Sequence, residues 1–257
     1  LSALCSLRYA LCAMLYAFSP FTLIAQIKDS AITIPIFFVN FSYELPGGDM
    51  ADRFGNNAEV GGGFLFKTKS NWIIGIDGNF LWGNKVKEDN ILDNIKTGSG
   101  EIIGWDGKFA EVRISERGLK LNLIKIGKLL PVKFASANAN SGIFFLTGFG
   151  LLQHKIKIQD ITKTVPQLAG DYVKGYDRLT NGAAITENFG YLYLDKRKLI
   201  NFFVIFEFTQ AWTKSRRDFN FDTMTKDQTQ RFDMLWGIKF GWLIPMYKKV
   251  PDEYYYY

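Results

Sequence analysis

The chain has 257 residues, 47% apolar and 16% aromatic, with 24 Gly and only 7 Pro, a composition that excludes disordered and collagen-like classes. Two cysteines, Cys5 and Cys12, and a single histidine, His154, are too few for a disulfide framework, a thiolate metal centre or most triad chemistry. The net charge of +6 is interspersed with no basic stripe, so nucleic acid is not an expected partner.

The chain begins with one charge, Arg8, then an apolar stretch from Tyr9 to Ala25 broken by Ser19, Pro20 and Thr22, then polar Gln26-Ile-Lys-Asp-Ser30. Residues 1–25 read as a Sec-type signal peptide, being short for a membrane anchor and interrupted by proline, which leaves 26–257 as one domain. Cleavage there removes both cysteines and Arg8, leaving 30 basic residues against 25 acidic ones.

From there on, apolar residues alternate with period two, which predicts strands rather than helices. Residues 35–45 set Phe37, Val39, Phe41, Tyr43 and Leu45 against Phe38, Asn40, Ser42 and Glu44. Residues 58–67 set Val60, Gly62, Phe64 and Phe66 against Glu59, Gly61, Gly63, Leu65 and Lys67. The clearest run, 72–82, places Trp72, Ile74, Ile76, Phe80 and Trp82 on one face and Ile73, Asp77, Asn79 and Leu81 on the other. Residues 118–129, 142–158 and 183–194 alternate less regularly, and Lys125 breaks the face begun by Leu119, Leu121 and Leu123, as a bulge does. Residues 201–212 set Phe202, Val204, Phe206, Phe208 and Trp212 against Glu207 and Thr209. The last run, 232–244, sets Phe232, Met234, Trp236, Ile238, Phe240, Trp242 and Ile244 against Asp233, Lys239 and Gly241. Eight strands follow, with no helix needed to place them.

Long polar connections at 46–57, 85–117, 159–182 and 213–230 alternate with shorter ones at 68–71, 130–141 and 195–199. That rhythm predicts an all-β fold, an eight-stranded antiparallel up-and-down transmembrane β-barrel with long extracellular loops and both termini periplasmic. Alternation by itself fits a soluble, lipocalin-like barrel as well. Two features favour an outer membrane. Trp72 and Trp82, Phe202 and Trp212, and Phe232 and Trp242 lie ten positions apart on the apolar faces of three strands. That is about 33 Å along a strand, or about 25 Å vertically at a tilt of about 40°, the separation of two aromatic girdles. The opposite faces carry Glu59, Lys67, Asp77, Asn79, Glu207, Asp233 and Lys239, whose signs permit pairing in a narrow lumen.

Lys239-Phe-Gly241-Trp-Leu-Ile244-Pro-Met246, on the last strand, resembles the signal read by the barrel-assembly machinery of outer membranes. Asp49-Met-Ala-Asp-Arg-Phe-Gly-Asn-Asn57, Phe64-Leu-Phe-Lys-Thr-Lys-Ser-Asn-Trp72, Gly175-Tyr-Asp-Arg-Leu-Thr-Asn-Gly182 and the final Tyr254–Tyr257 resemble small outer-membrane barrels of the Bacteroidota, of the PorT/PorG and OmpX/OmpW-like kinds. The resemblance implies an accessory part in an envelope or secretion complex, among outer-membrane lipids and lipopolysaccharide.

An eight-stranded barrel is filled by its own side chains, here including Leu65, Leu81, Phe203 and Leu235, so a wide pore is not expected. No cofactor fingerprint appears: Gly61-Gly-Gly63 lies inside a strand, not before a helix. His154 is the residue an alternative lipid-modifying enzyme would need, and no serine or aspartate is paired with it in sequence. The loops are the expected working parts, with Trp105, Tyr172 and Tyr176 for a partner or sugar, and Lys85, Lys87, Arg216 and Arg217 for phosphates of lipopolysaccharide. The four terminal tyrosines suit docking on a partner, on the barrel rim or at the membrane interface.

Overall fold

The computed structural model describes residues 31–88, 90–132, 134, 137–195 and 200–247. The expected signal segment 1–25, the turn residues Lys196–Lys198 and the tyrosine tail 254–257 lie outside them. Eight strands form one closed antiparallel barrel in chain order: β1 (Ile34–Gly48), β2 (Asn57–Lys67), β3 (Trp72–Gly83), β4 (Val112–Pro131), β5 (Gly142–Asp160), β6 (Thr180–Leu194), β7 (Asn201–Ser215) and β8 (Gln230–Pro245). β1 closes the ring against β8, from Ile36 opposite Pro245 to Gly48 opposite Asp233.

The register fixes the stagger. Following directly opposed residues from Phe38 through Gly63, Asp77, Asn122, Gly150, Ala184, Ala211 and Asp233 returns to β1 at Gly48, ten residues above the start. For eight strands, a stagger of that size corresponds to a tilt of about 40°.

Each strand keeps its alternation through the barrel wall. Phe37, Val39, Phe41, Phe80, Phe240 and Trp242 point outward and are half exposed, while Asn40, Glu44, Glu59, Asp77, Lys120, Glu207 and Lys239 point inward and are buried. On β4 the alternation is interrupted where Leu123 and Ile124 both face outward, with register shifts on both neighbouring pairings. This bulge returns Lys125 to the interior after Asn122, which is the interruption seen in the sequence.

The interior is layered. At the end bearing the shorter connections, Ile34, Phe38, Leu65, Leu129, Phe144, Leu192, Phe203 and Leu243 form an apolar plug. The charged side chains occupy the middle. At the long-loop end, Met50, Phe54, Leu81, Ile91, Leu152, Tyr176 and Leu235 form a second apolar cluster that joins the barrel mouth to the loops.

Two expectations need correction at that end. Residues 112–117 belong to β4 instead of a loop running to 117, and β5 runs to Asp160 opposite Val112. Their alternation has the opposite sense from the barrel below: Val112, Ile114, Ile156 and Ile158 pack inward on the loop cluster, while Arg113, Arg117, Lys155 and Lys157 alternate with them. A search for an apolar outward face passes over such a segment. The first long connection contains a short helix, α1 (Asp49–Arg53), where no helix was expected. It forms because Met50 and Arg53, one helical turn apart, both turn into the barrel mouth.

Candidate functional site

The middle layer is a buried ionic network. Lys120 Nζ lies 3.0 Å from Glu44, 2.8 Å from Glu59 and 2.6 Å from Glu207. Lys239 Nζ lies 2.6 Å from Glu207 and 3.5 Å from Glu59. Ser42 Oγ lies within hydrogen-bonding distance of both Glu44 and Glu59, at 3.2 and 3.3 Å. Below them, Lys125 sits 3.3 Å from Asp77 and donates to Asn188, and Asn79 Nδ2 donates to Asp77 at 2.9 Å. Buried charges are tolerated when paired in this way. The three glutamates offer oxygens within 4.8 Å of one another, as metal ligands do. The ammonium of Lys120 already stands among them and supplies the positive charge. A cavity of about 10 Å³ bordered by Phe38, Asp77, Lys125 and Phe203 has room for a single water at most. The lumen is therefore a packed core rather than a channel.

Above this layer, His154 Nε2 lies 2.9 Å from Asp233 Oδ2, and the Thr213 hydroxyl donates to that same oxygen. The hydroxyl hydrogen is thus directed at the carboxylate and not at the imidazole, so the three residues do not form a nucleophile-base relay. Phe54 sets its ring edge-on to the imidazole at 5.4 Å, and both side chains are fully buried. Arg53 caps Phe54 from 5.2 Å and is held by Glu88 at 2.6 Å, which also meets Arg178 at 3.1 Å. His154 is consequently a lumen residue under a plug, not an exposed rim base open to lipid.

The loop residues separate into two groups. Trp105 and Tyr172 are 75% and 66% exposed, whereas Tyr176 is buried against Phe221, with ring centroids 5.5 Å apart. Arg217 is engaged by the Asp177 carboxylate through two hydrogen bonds, which hold its guanidinium above its ordinary range, and Arg216 donates to Asn181. Lys85 and Lys87 border a cavity of about 510 Å³ just beyond Tyr43 and Trp82, with Asn56, Asn57 and Asn84 also in its wall and no carboxylate among its lining residues. Lys87 donates to the carbonyl of Ala51, and Asn56 to the Tyr43 hydroxyl at 2.7 Å. Of the expected phosphate contacts, this rim pocket brings together the two lysines and not the two arginines.

The expected girdle residues face outward in two tiers. Trp212 and Phe232 are cross-strand partners with rings 5.5 Å apart, and Trp82 meets Phe41 at 6.3 Å near the same end. Phe202 and Trp242 are partners at the other end, with Trp72 nearby in height and Lys128 over its ring at 5.6 Å. Glu59, Lys67, Asp77, Asn79, Glu207, Asp233 and Lys239 are all buried in the interior. On β8, Lys239 and Gly241 face inward, while Ile244 and, just beyond the strand, Met246 are exposed. Lys120 and Lys125, which complete the ionic network, were not among the expected lumen groups. Carrying inward parity across the bulge at Leu123–Ile124 identifies both.

No family model matches the chain, and no curated protein matches it. Among solved structures it is similar to Neisserial surface protein A, with TM-score 0.44 and 6% identity over 82% of this chain and 96% of that one. It is similar to Ail, the attachment invasion locus protein of Yersinia pestis, with TM-score 0.39 and 6% identity over 83% of this chain and 99% of that one. The outer membrane protein OprG from Pseudomonas aeruginosa gives TM-score 0.31 and 12% identity over 84% and 97% of the two chains.

Proposed function

We propose that this chain is an integral outer-membrane β-barrel that acts without catalysis, as a structural or accessory subunit of an envelope or secretion complex, with both termini periplasmic. The observation that carries the membrane placement is the inverted polarity of the barrel: large apolar and aromatic side chains cover the outside, and paired charges fill the inside. A soluble barrel of lipocalin type has the reverse arrangement. A sheath of exposed Phe, Trp and Ile this continuous is far larger than the apolar patches of monomeric soluble proteins.

The packed lumen argues against transport, and the burial of His154 argues against lipid chemistry at that residue. What is left to act is the ordered long-loop end. The rim pocket bearing Lys85 and Lys87 suits the phosphates of lipopolysaccharide, and exposed Trp105 and Tyr172 suit a partner. The β8 pattern ending at Ile244 and Met246 suits recognition by the barrel-assembly machinery. The sequence resemblance to Bacteroidota barrels directs the subunit role toward secretion. Mild-detergent purification of the tagged protein from its native envelope tests the reading. Recovery from the outer-membrane fraction in stoichiometric company is expected. Recovery alone would overturn the subunit role, and recovery from the soluble fraction without detergent would overturn the membrane placement.

A further inference from the structure

Among the described residues, one acidic side chain in the central band of the barrel faces outward. Glu187, on β6, shares its face with Ile185 and Phe189, which point outward, whereas Asn188 points into the lumen. Its cross-strand neighbours are Thr147 on β5 and Phe208 on β7. No hydrogen bond or ion pair reaches its carboxyl among the described residues. Every other acidic side chain in the central part of the barrel (Glu44, Glu59, Asp77 and Glu207) is inward and paired.

Its depth is central. Tyr193, stacked on Phe202 at 5.0 Å, lies six residues toward the short-turn end, and Ala183, opposite Trp212, lies four residues toward the long-loop end. At about 3.3 Å per residue and a tilt of about 40°, Glu187 sits about 15 Å above Tyr193 in the lower aromatic tier and about 10 Å below Ala183, with Trp212 a little higher still. This placement rests on the membrane reading above. At that depth hydrocarbon offers no partner, so the carboxyl needs one from another molecule.

We propose that the β5–β7 face centred on Glu187 is a contact between two copies of this chain within the membrane. Two copies inserted in the same sense are related by a two-fold axis along the membrane normal, so a residue near that axis meets its own counterpart at equal depth. A carboxyl is suited to this arrangement, because a protonated carboxylic acid both donates and accepts and is its own hydrogen-bond complement. Around it, Phe189, Phe206 and Phe149 are exposed and provide apolar surface to exclude lipid.

The experiment uses the full chain with Cys5 and Cys12 changed to Ser and a single cysteine introduced by Phe189→Cys, leaving Glu187 intact, with Val60→Cys on the opposite wall as control. In native membranes, a short bis-maleimide should link Phe189→Cys into dimers and leave Val60→Cys monomeric. Glu187→Leu should weaken dimerisation in dimyristoylphosphatidylcholine vesicles by about tenfold, in line with the modest strength of hydrogen bonds between membrane segments. The same change should raise the stability of the barrel monomer, since it replaces a polar group on the lipid face by an apolar one. Dimers that persist unchanged in Glu187→Leu would overturn the proposal, as would linking of Phe189→Cys only to a different protein. Rapid labelling of both cysteines by a water-soluble maleimide would instead overturn the membrane reading, which separates the two failures.

Discussion

Replacing Lys120 by Met keeps the length of the side chain and deletes the ammonium that three carboxylates share. Glu59 and Glu207 retain Lys239, at 3.5 and 2.6 Å, but among the described residues no other ammonium pairs with Glu44. Ser42 is left as its hydrogen-bonding neighbour. Breaking a buried ion pair by removing one partner costs about 3–5 kcal/mol, a large part of a typical stability of about 5–15 kcal/mol. Taking about 4 kcal/mol and a urea slope of about 2 kcal/mol/M, the unfolding midpoint in phospholipid vesicles should fall by about 2 M. The double variant Lys120→Met with Glu44→Gln removes the orphaned charge as well and should recover about half of that loss, a coupling of about 2 kcal/mol. Tryptophan fluorescence and heat-dependent gel mobility read the same transition. A midpoint within about 0.3 M of wild type, or a double variant no more stable than the single one, would refute the argument that this network is held by charge pairing.

Three further outcomes are expected. Phe54→Ala should cost about 3 kcal/mol and open the barrel mouth, so that carbethoxylation of His154, the single histidine, proceeds at least about tenfold faster; equal rates would mean that Phe54 is not the plug. Asp177→Asn should release Arg217 and speed tryptic cleavage at Arg216–Arg217 several-fold while the barrel's unfolding free energy stays within about 0.5 kcal/mol of wild type. At the tip of β5, desolvation of Asp160 is outweighed by the N–H of Val165, the Thr162 hydroxyl and the N–H of Lys163, which together hold its carboxyl below the usual range. Because the folded value is the lowered one, the ordering this group gives to the loop is complete above about pH 4 and is lost as pH falls through the lowered value. The protection factors of the Lys163 and Val165 amides, corrected for intrinsic exchange, should fall with that loss, and Asp160→Asn should show no such fall.

The barrel was legible in the sequence because a strand through a closed wall has one rule for every position, and an apolar outside with a polar inside writes that rule as alternation. Trp72 to Trp82 and Phe232 to Ile244 show it without interruption, and even the β4 bulge was visible as Lys125 falling out of phase. The rule fails where the surroundings change. Beyond the apolar band the outward positions become Arg113, Arg117 and Lys155 and the inward ones Val112 and Ile156, so the alternation does not mark 112–117 as strand although it is one. α1 is too short for a helical period to declare itself.

Composition and period therefore determine the strand number, the two faces and which charges are inside. They cannot determine which charges meet, because that depends on the ten-residue stagger that sets heights around the ring. Glu44, Glu59, Lys120 and Glu207 come from four different strands and meet only because closure brings them to one level. The same closure seats Phe54 over His154 and buries Tyr176 while leaving Trp105 exposed. Alternation tells inside from outside at each position; distance across the lumen is a property of the closed ring alone.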